Sequence, residues 1–508
     1  MPAGSYRFGP FEVDRAAFRL TRSGAEPVTL TPKLLDLLLH LLDHAGELVT
    51  KEALLDAVWP GANVTDNAVA QAVSELRHAL GDDSGSPQFI KTVARRGYRF
   101  VALVEPTSSP SLSPAAPAAP TASAVRIGAR ETSSLDAYRA AGEGWLRIES
   151  LEVAELQHAI DDFRRAVALD HRYALAYTGL ANAEFALYET TRSDNEPAQE
   201  LLEQAIDHAR HGIALDEGLA EAHATLALLL VSAWQTEEAV SEARRAVAIE
   251  PMNWRHRFRL GHASWGEARL RAGDVTLAQY PTFAFAHFQI AMVHVARGHL
   301  GEAEAILRRG ATLQDRQREH RERFPALGLH WLFGLVSLAR EDTAGALAAF
   351  DRELLLADPD RLYGREYAMS ARYGRGLTLL QDHRASEAVA EFQSAIELYP
   401  DYPQAHIALA AAYRQLHAIE GERTATARSD AAIAIIARTK PIEAAIVRAM
   451  RLAASGEPQP AIALLDRMLK DAPPGFAGWT IPVEPLLAEL KEREGFAAVL
   501  KLLSERAR

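Results

Sequence analysis

The sequence predicts a mainly α chain in which a small N-terminal α+β domain precedes a long α-solenoid of paired helices. Three observations carry this: strand-like alternation before residue 104, a proline-rich break at 105–124, and an Ala-centred helical pattern recurring over about 135–475. At 508 residues the chain is several times the roughly 100 to 200 residues of one domain. The aromatic share of 7% beside abundant Ala and Leu favours helices for most of that length.

Composition closes off several classes of chemistry. With no cysteine there is no disulfide, iron–sulfur cluster, thiolate zinc site or cysteine nucleophile. The start, MPAGSYRFGPFEVDR, lacks the basic and apolar regions of a secretory signal. The most apolar runs, 34–49 and 224–234, are interrupted by charge or too short for the ~18 to 20 apolar residues of a bilayer span. The expectation is a soluble, cytoplasmic protein with no membrane partner. No phosphate-binding Gly-rich loop, nucleophile elbow or H-E-x-x-H motif occurs, so neither an enzyme nor a cofactor is expected.

The N-terminal elements follow in order. YRFGPFEVD and AAFRLTR alternate apolar and polar residues and read as short antiparallel strands. A first helix has Thr31 as cap, Pro32 in its first turn and Gly46 as stop; a second runs from Thr50 to about Trp59, where Pro60-Gly61 ends it. The third runs from the Thr65/Asp66 cap to Gly81. Its Val69, Val73, Leu76 and Leu80 form one dry stripe, leaving Asn67, Gln71, Ser74, Glu75 and His78 outward with Arg77 on the flank. Asn and Gln suit adenine edges, and Arg suits guanine or phosphate. FIKTVARRGYRFVAL then reads as two strands around Arg95-Arg96-Gly97.

Charge is distributed to match. Residues 1–104 hold 11 Lys and Arg against 12 Asp and Glu, a net of −1, so 105–508 carry −11 of the total −12. Within 87–104, Lys91, Arg95, Arg96 and Arg99 stand with no acid at all. The concentrated positive field is therefore local to one edge of the small domain.

Taken together, LTPKLLDLLLHLL, LLDAVWPG, VTDNAVAQAVSELRHALGD and FIKTVARRGYRFVA resemble the OmpR/PhoB-type winged helix-turn-helix domain, especially the variant at the N-terminus of CadC-like regulators. The resemblance covers residues 6 to about 104. It implies transcription regulation through double-stranded DNA, with the third helix in the major groove and the hairpin as a wing. Carried over by position, Asn67, Gln71, Ser74, Arg77 and His78 face the major groove, while Trp59, Thr92, Arg95, Arg96 and Tyr98 serve the wing and backbone. RNA polymerase and a second copy of the chain on DNA are further implied partners. Ser74-Glu75 and Ala94 stand where relatives often carry basic residues, so base preference does not transfer. No receiver domain precedes the winged helix, so no aspartyl-phosphate switch is expected.

Residues 105–124 contain five Pro, five Ser, two Thr and six Ala, too little apolar surface to offset ordering, and read as an extended linker. Beyond it, Ala239/Ala243/Ala246/Pro251 and Ala388/Phe392/Ala395/Pro400 repeat one phased pattern, with weaker copies at Ala159, Ala205, Ala303, Ala346 and Ala461. Ala205 to Ala239 is 34 residues. This region resembles the tetratricopeptide superfamily, which implies a protein or peptide partner on a concave face. TTRSDNEPAQE reads as an enlarged loop, and VEPLLAELKEREGFAAVLKLL as a terminal cap. QREHRER at 317–323 reads as a solvated helix end, and His287 with His294 as core or groove histidines rather than metal ligands. The leading function is a sequence-specific transcription regulator; the alternative is a repeat-based scaffold whose winged helix docks protein.

Overall fold

The computed structural model describes residues 5–15, 19–22, 26–28, 30, 32–58, 66–83, 87–93, 96–107, 132–319 and 326–508. They fall into two compact units: 1–146, 161–179 and 214–217 form the first, and 147–160, 180–213 and 218–508 the second. No helix among the described residues is long and apolar enough to cross a membrane.

The first unit opens with β1 (Ser5–Phe8), β2 (Phe11–Asp14), β3 (Arg19–Arg22) and β4 (Glu26–Val28). Helix α1 (Pro32–Asp43), strand β5 (Val49–Thr50), α2 (Lys51–Val58) and α3 (Asp66–Leu80) follow, and then β6 (Ile90–Val93), β7 (Gly97–Phe100) and β8 (Val104–Thr107). One antiparallel sheet has the order β4-β3-β2-β1-β8, the other β5-β7-β6. The alternation predicts β1 to β3, but β4 and β8 extend the sheet beyond it. Residues Glu105 to Thr107, which composition assigns to the linker, pair with Ser5 to Arg7. Pro27 and Pro106 each sit on an edge strand, the place in a sheet to which proline is confined by its missing N–H.

Helix α1 is apolar nearly all round because it packs on α2, α3 and β7 together, burying Leu35, Leu37, Leu38, Leu41 and Leu42. Thr50, where the sequence starts the second helix, caps α2: its hydroxyl accepts from the Ala53 amide at 3.1 Å. Thr31, Thr65, Trp59 and 108–124 of the linker lie outside the described residues.

The helix pairs begin with α4 (Leu135–Ser150) and α5 (Val153–Leu169), α6 (Ala174–Glu189) and α7 (Gln199–Leu215), α8 (Ala220–Ser232) and α9 (Thr236–Ile249). Next come α10 (Trp254–Ala263) and α11 (Glu267–Gln279), α12 (Ala284–Ala296) and α13 (Leu300–Glu319), α14 (Leu329–Ala339) and α15 (Thr343–Leu356). Then α16 (Gly364–Gln381) and α17 (Ala385–Leu398), α18 (Pro403–Gln415) and α19 (Ile419–Thr439), and α20 (Pro441–Ala453) and α21 (Pro458–Asp471) precede α22 (Phe496–Arg506). The phased alanines of the second helices are fully buried, as at Ala239, Ala243, Ala246, Ala388 and Ala395. The larger residue fills a hole that small residues leave: a Cβ on Gly334 or Gly374 would lie 2.6 or 2.4 Å from the Phe350 ring. Leu151, Trp234, Glu341, His383 and His417 take positive φ in the turns within pairs. In four of these turns the next amide reaches back five residues to a helix carbonyl, as Gln235 to Leu230 and Arg384 to Leu379, the Schellman closure.

Two segments of the second unit depart from the sequence reading. The loop after α6 does more than enlarge a connection: Arg192 forms a bidentate pair with Glu366, Asp194 pairs with Arg365, and the Lys440 ammonium donates to the carbonyls of Arg192 and Asp194. The closing segment is also only partly a cap. Its last part, α22, covers α21, but Ile481–Val483 and Pro485–Leu490 form two 3-10 turns against α12, α14 and α20. Their apolar residues win that position by burial, as Ile481, Val483, Leu487 and Leu490 are nearly inaccessible. Gln317, placed by sequence in a solvated helix end, is buried and bonds the Ala326 amide.

Candidate nucleic-acid interface

Helix α3 is placed by its dry stripe. Val69, Val73, Leu76 and Leu80 are buried, with α1 and α2 packed against the helix. The stripe turns Ser74, Glu75 and His78 to solvent. Asn67 and Gln71 belong to the same helix, with side chains outside the described residues.

Two polar clamps join the end of α3 to the hairpin. The buried Asp82 carboxylate accepts from the amides of Gln88, Phe89 and Ile90 at 2.6, 3.2 and 2.8 Å. Arg77, half-buried, donates from Nε and Nη2 to the Ile90 carbonyl at 3.2 and 2.6 Å, and from Nη2 to the Thr92 hydroxyl at 2.9 Å. Three of its five N–H groups are thus directed into the protein, leaving the Nη1 pair for any outside contact.

The β6–β7 hairpin sorts its residues by face. Ile90 pairs with Phe100, both buried, and the exposed Thr92 pairs with the buried Tyr98, while Lys91 and Arg99 pair with both side chains exposed. Arg96 is exposed at the turn, and its amide donates to the Val93 carbonyl. Gly97 fits there because nothing larger does: its φ is +143°, and a Cβ would lie 2.1 Å from the Val49 carbonyl of β5.

The structure therefore brings Ser74, Arg77, His78, Thr92 and Arg96 onto α3 and the adjoining hairpin, with Arg77 and Thr92 in direct contact. Tyr98 departs from its expected wing role, since its ring is 5% exposed and belongs to the core. Trp59 and Arg95 lie outside the described residues. Lys91 and Arg99 are absent from the sequence-derived contact residues although strand alternation places both on one face. Two cations directly opposite each other repel. An anion covering both would offset that cost. Among the described residues, no group of His, Asp or Glu is arranged to hold a metal ion.

Residues 25–100 match the family model described as "Transcriptional regulatory protein, C terminal". The transcriptional activator CadC of Escherichia coli (strain K12) is 39% identical over 99 residues, 19% of this chain and 19% of that protein. The transcriptional regulatory protein AfsQ1 of Streptomyces coelicolor is 38% identical over 97 residues, 19% of this chain and 43% of that protein. The chain thus spans between about a fifth and two fifths of the length of these relatives. The solved DNA-binding domain of E. coli CadC is 36% identical, covering 21% of this chain and 98% of that chain with a TM-score of 0.19. The N-terminal domain is an OmpR/PhoB-type winged helix.

Proposed function

We propose that this chain, through its OmpR/PhoB-type winged helix, is a DNA-binding transcriptional regulator controlled by a partner of its helix-pair array. The observation that carries the reading is the weld between α3 and the wing. The polar face of α3 and the cationic face of β6–β7 are held together by Arg77 and Asp82, so one binding event engages both. Asn67, Gln71, Ser74 and His78 are assigned to the major groove, and Lys91, Arg95, Arg96 and Arg99 to phosphates. Arg77 is assigned a bracing role, with Nη1 left for the backbone.

The array is assigned to tetratricopeptide-like repeats that hold a protein segment. Its acidity disfavours a second DNA site. Tyr138 of α4 donates to Asp36 of α1 at 3.3 Å. Residues 108–124, whose Pro- and Ala-rich composition disfavours packing, are assigned the role of a tether rather than of a rigid coupling. The partner therefore acts by tethering, occlusion or pairing two copies on DNA, with RNA polymerase the assigned target of activation, all in the cytoplasm. No catalytic role is assigned.

The test uses the full chain and fragmented genomic DNA. Wild-type protein is expected to enrich a small set of sites, and Arg95→Ala with Arg96→Ala to lose affinity for all duplexes with a shallower salt dependence. Absence of any enriched site, with unchanged salt slope in the variant, favours the scaffold reading instead.

A further inference from the structure

The side of the array formed by the first helices is where a solenoid of this kind holds a peptide, and in this chain that side is already occupied. Residues 481–490 run along it against α12, α14 and α20, and Phe476 extends the contact to the turns after α8 and α10. Phe476 stacks on Trp234, ring centroids 5.3 Å apart and planes 29° from parallel, and lies beside Trp265 and the Arg269 guanidinium. Trp479 meets Phe288 edge-on at 6.3 Å. Glu484 accepts from the Tyr373 hydroxyl of α16 at 3.0 Å.

The segment is built differently from the helices on either side. It holds only two 3-10 turns, and its joints are exposed: Pro473 and Pro474 at one end, Lys491 to Gly495 at the other, with positive φ at Gly475 and Gly495. Its fit is also incomplete. The buried indole N–H groups of Trp265 and Trp331 find no acceptor among the described residues, although Trp265 touches Phe476 and Trp331 stacks on Phe288. Two buried donors without acceptors among the described residues, one of them on the ring that meets Phe476, suit the carbonyls of an extended backbone.

We infer that residues 473–490 are an internal occupant of a peptide-binding groove, displaced by a partner protein's extended segment that carries two aromatic side chains three positions apart and an acceptor for Tyr373. The inference rests on the reading of the array as a partner-binding unit. It does not depend on DNA recognition. Such a partner reproduces the Phe476 and Trp479 anchors and adds carbonyls for Trp265 and Trp331. Its affinity is reduced by the fraction of chains in which the groove is closed.

The experiment measures binding of a fluorescently labelled synthetic peptide of residues 473–490 to the full chain. Wild-type protein is expected to bind weakly, and the Phe476→Ala/Trp479→Ala chain at least tenfold more tightly, while a peptide lacking both aromatics binds neither. Equal binding by both chains, or none by a variant with wild-type helical circular dichroism, overturns the proposal. Hydrogen exchange on the unmodified chain decides independently of the variant's folding. Saturating peptide should speed exchange of amides 476–490 while α12 and α14 stay protected; exchange of the segment only together with those helices overturns the proposal. Neither readout involves DNA, so failure here leaves the winged-helix assignment standing and removes only the array's.

Discussion

Arg77 on α3 and Thr92 on β6 are joined by a 2.9 Å hydrogen bond, and the same guanidinium holds the Ile90 carbonyl. A residue placed by sequence on the edge of a base-reading face is, in the folded domain, a brace for the wing. Arg77→Ala is expected to leave the Ile90 carbonyl short of a donor and lower domain stability by about 1 to 3 kcal/mol. It should weaken binding to specific and random duplexes alike in titrations with the full chain. A loss confined to the specific site would show that Arg77 leaves the wing to read a base.

Lys91 and Arg99 stand opposite each other on the exposed face of β6 and β7. Replacing both by Ala is expected to reduce the slope of log K against log salt by about 2. The free domain should gain about 0.2 to 1 kcal/mol as the like-charge pair is removed. Thermal melts beside salt titrations check both, and an unchanged slope removes these residues from the interface.

Gly97→Ala tests the geometry at the base of the wing. The added methyl would collide with the Val49 carbonyl while φ stays positive, so β5 and β7 must separate. The expected loss is about 1 to 3 kcal/mol from backbone strain alone, measured by chemical denaturation. A neutral substitution would mean that β5 does not pair there in solution.

Burial pushes the Glu484 carboxyl up to about 7, partly offset by the Leu486 amide and the Tyr373 hydroxyl. Tyr373 and Tyr402 are the titratable side chains that face it, both pushed well above the usual phenol range. Between the ordinary carboxyl value near 4.5 and about 7, the folded form keeps a proton that the unfolded chain releases. Stability therefore falls as pH rises through that window, by up to about 3 kcal/mol. Glu484→Gln should flatten the dependence, as read from denaturation midpoints at pH 5 and pH 8; a parallel shift at both pH values would contradict this.

The legible parts of the sequence were those where one residue type has one physical reason. The stripe on α3 and the phased alanines are readable because close helix contact demands apolar or small side chains. The missed second helices show the converse. In α11 the small position is Arg269, so Arg269, Gly273, Thr276 and Pro281 hide the pattern. That arginine is buried with no carboxylate partner among the described residues; it donates to the carbonyls of Gly261, Ser264 and His262, and burial pushes it down to about 9. The helix-pair turns were equally hidden, because Trp234, Glu341 and His383 take a conformation that glycine usually marks. At the interface, the burial of Tyr98 and the bonds from Arg77 to β6 are not legible in the sequence, because these residue types suit both DNA and core. Only tertiary contacts separate the two roles.

The loop after α6 changes how the second unit comes apart. In an open repeat array each repeat touches only its neighbours, so terminal repeats fray while the middle survives. Here Arg192 reaches Glu366 across 174 residues, and Lys440 reaches the Arg192 carbonyl across 248. These ties span several repeats, so opening one interface breaks contacts in others. Unfolding becomes a cooperative event of the whole block rather than a sequential peeling. Closing these ties brings together residues far apart in the chain, at an entropy cost that grows with separation, so slow refolding is expected for so helical a protein.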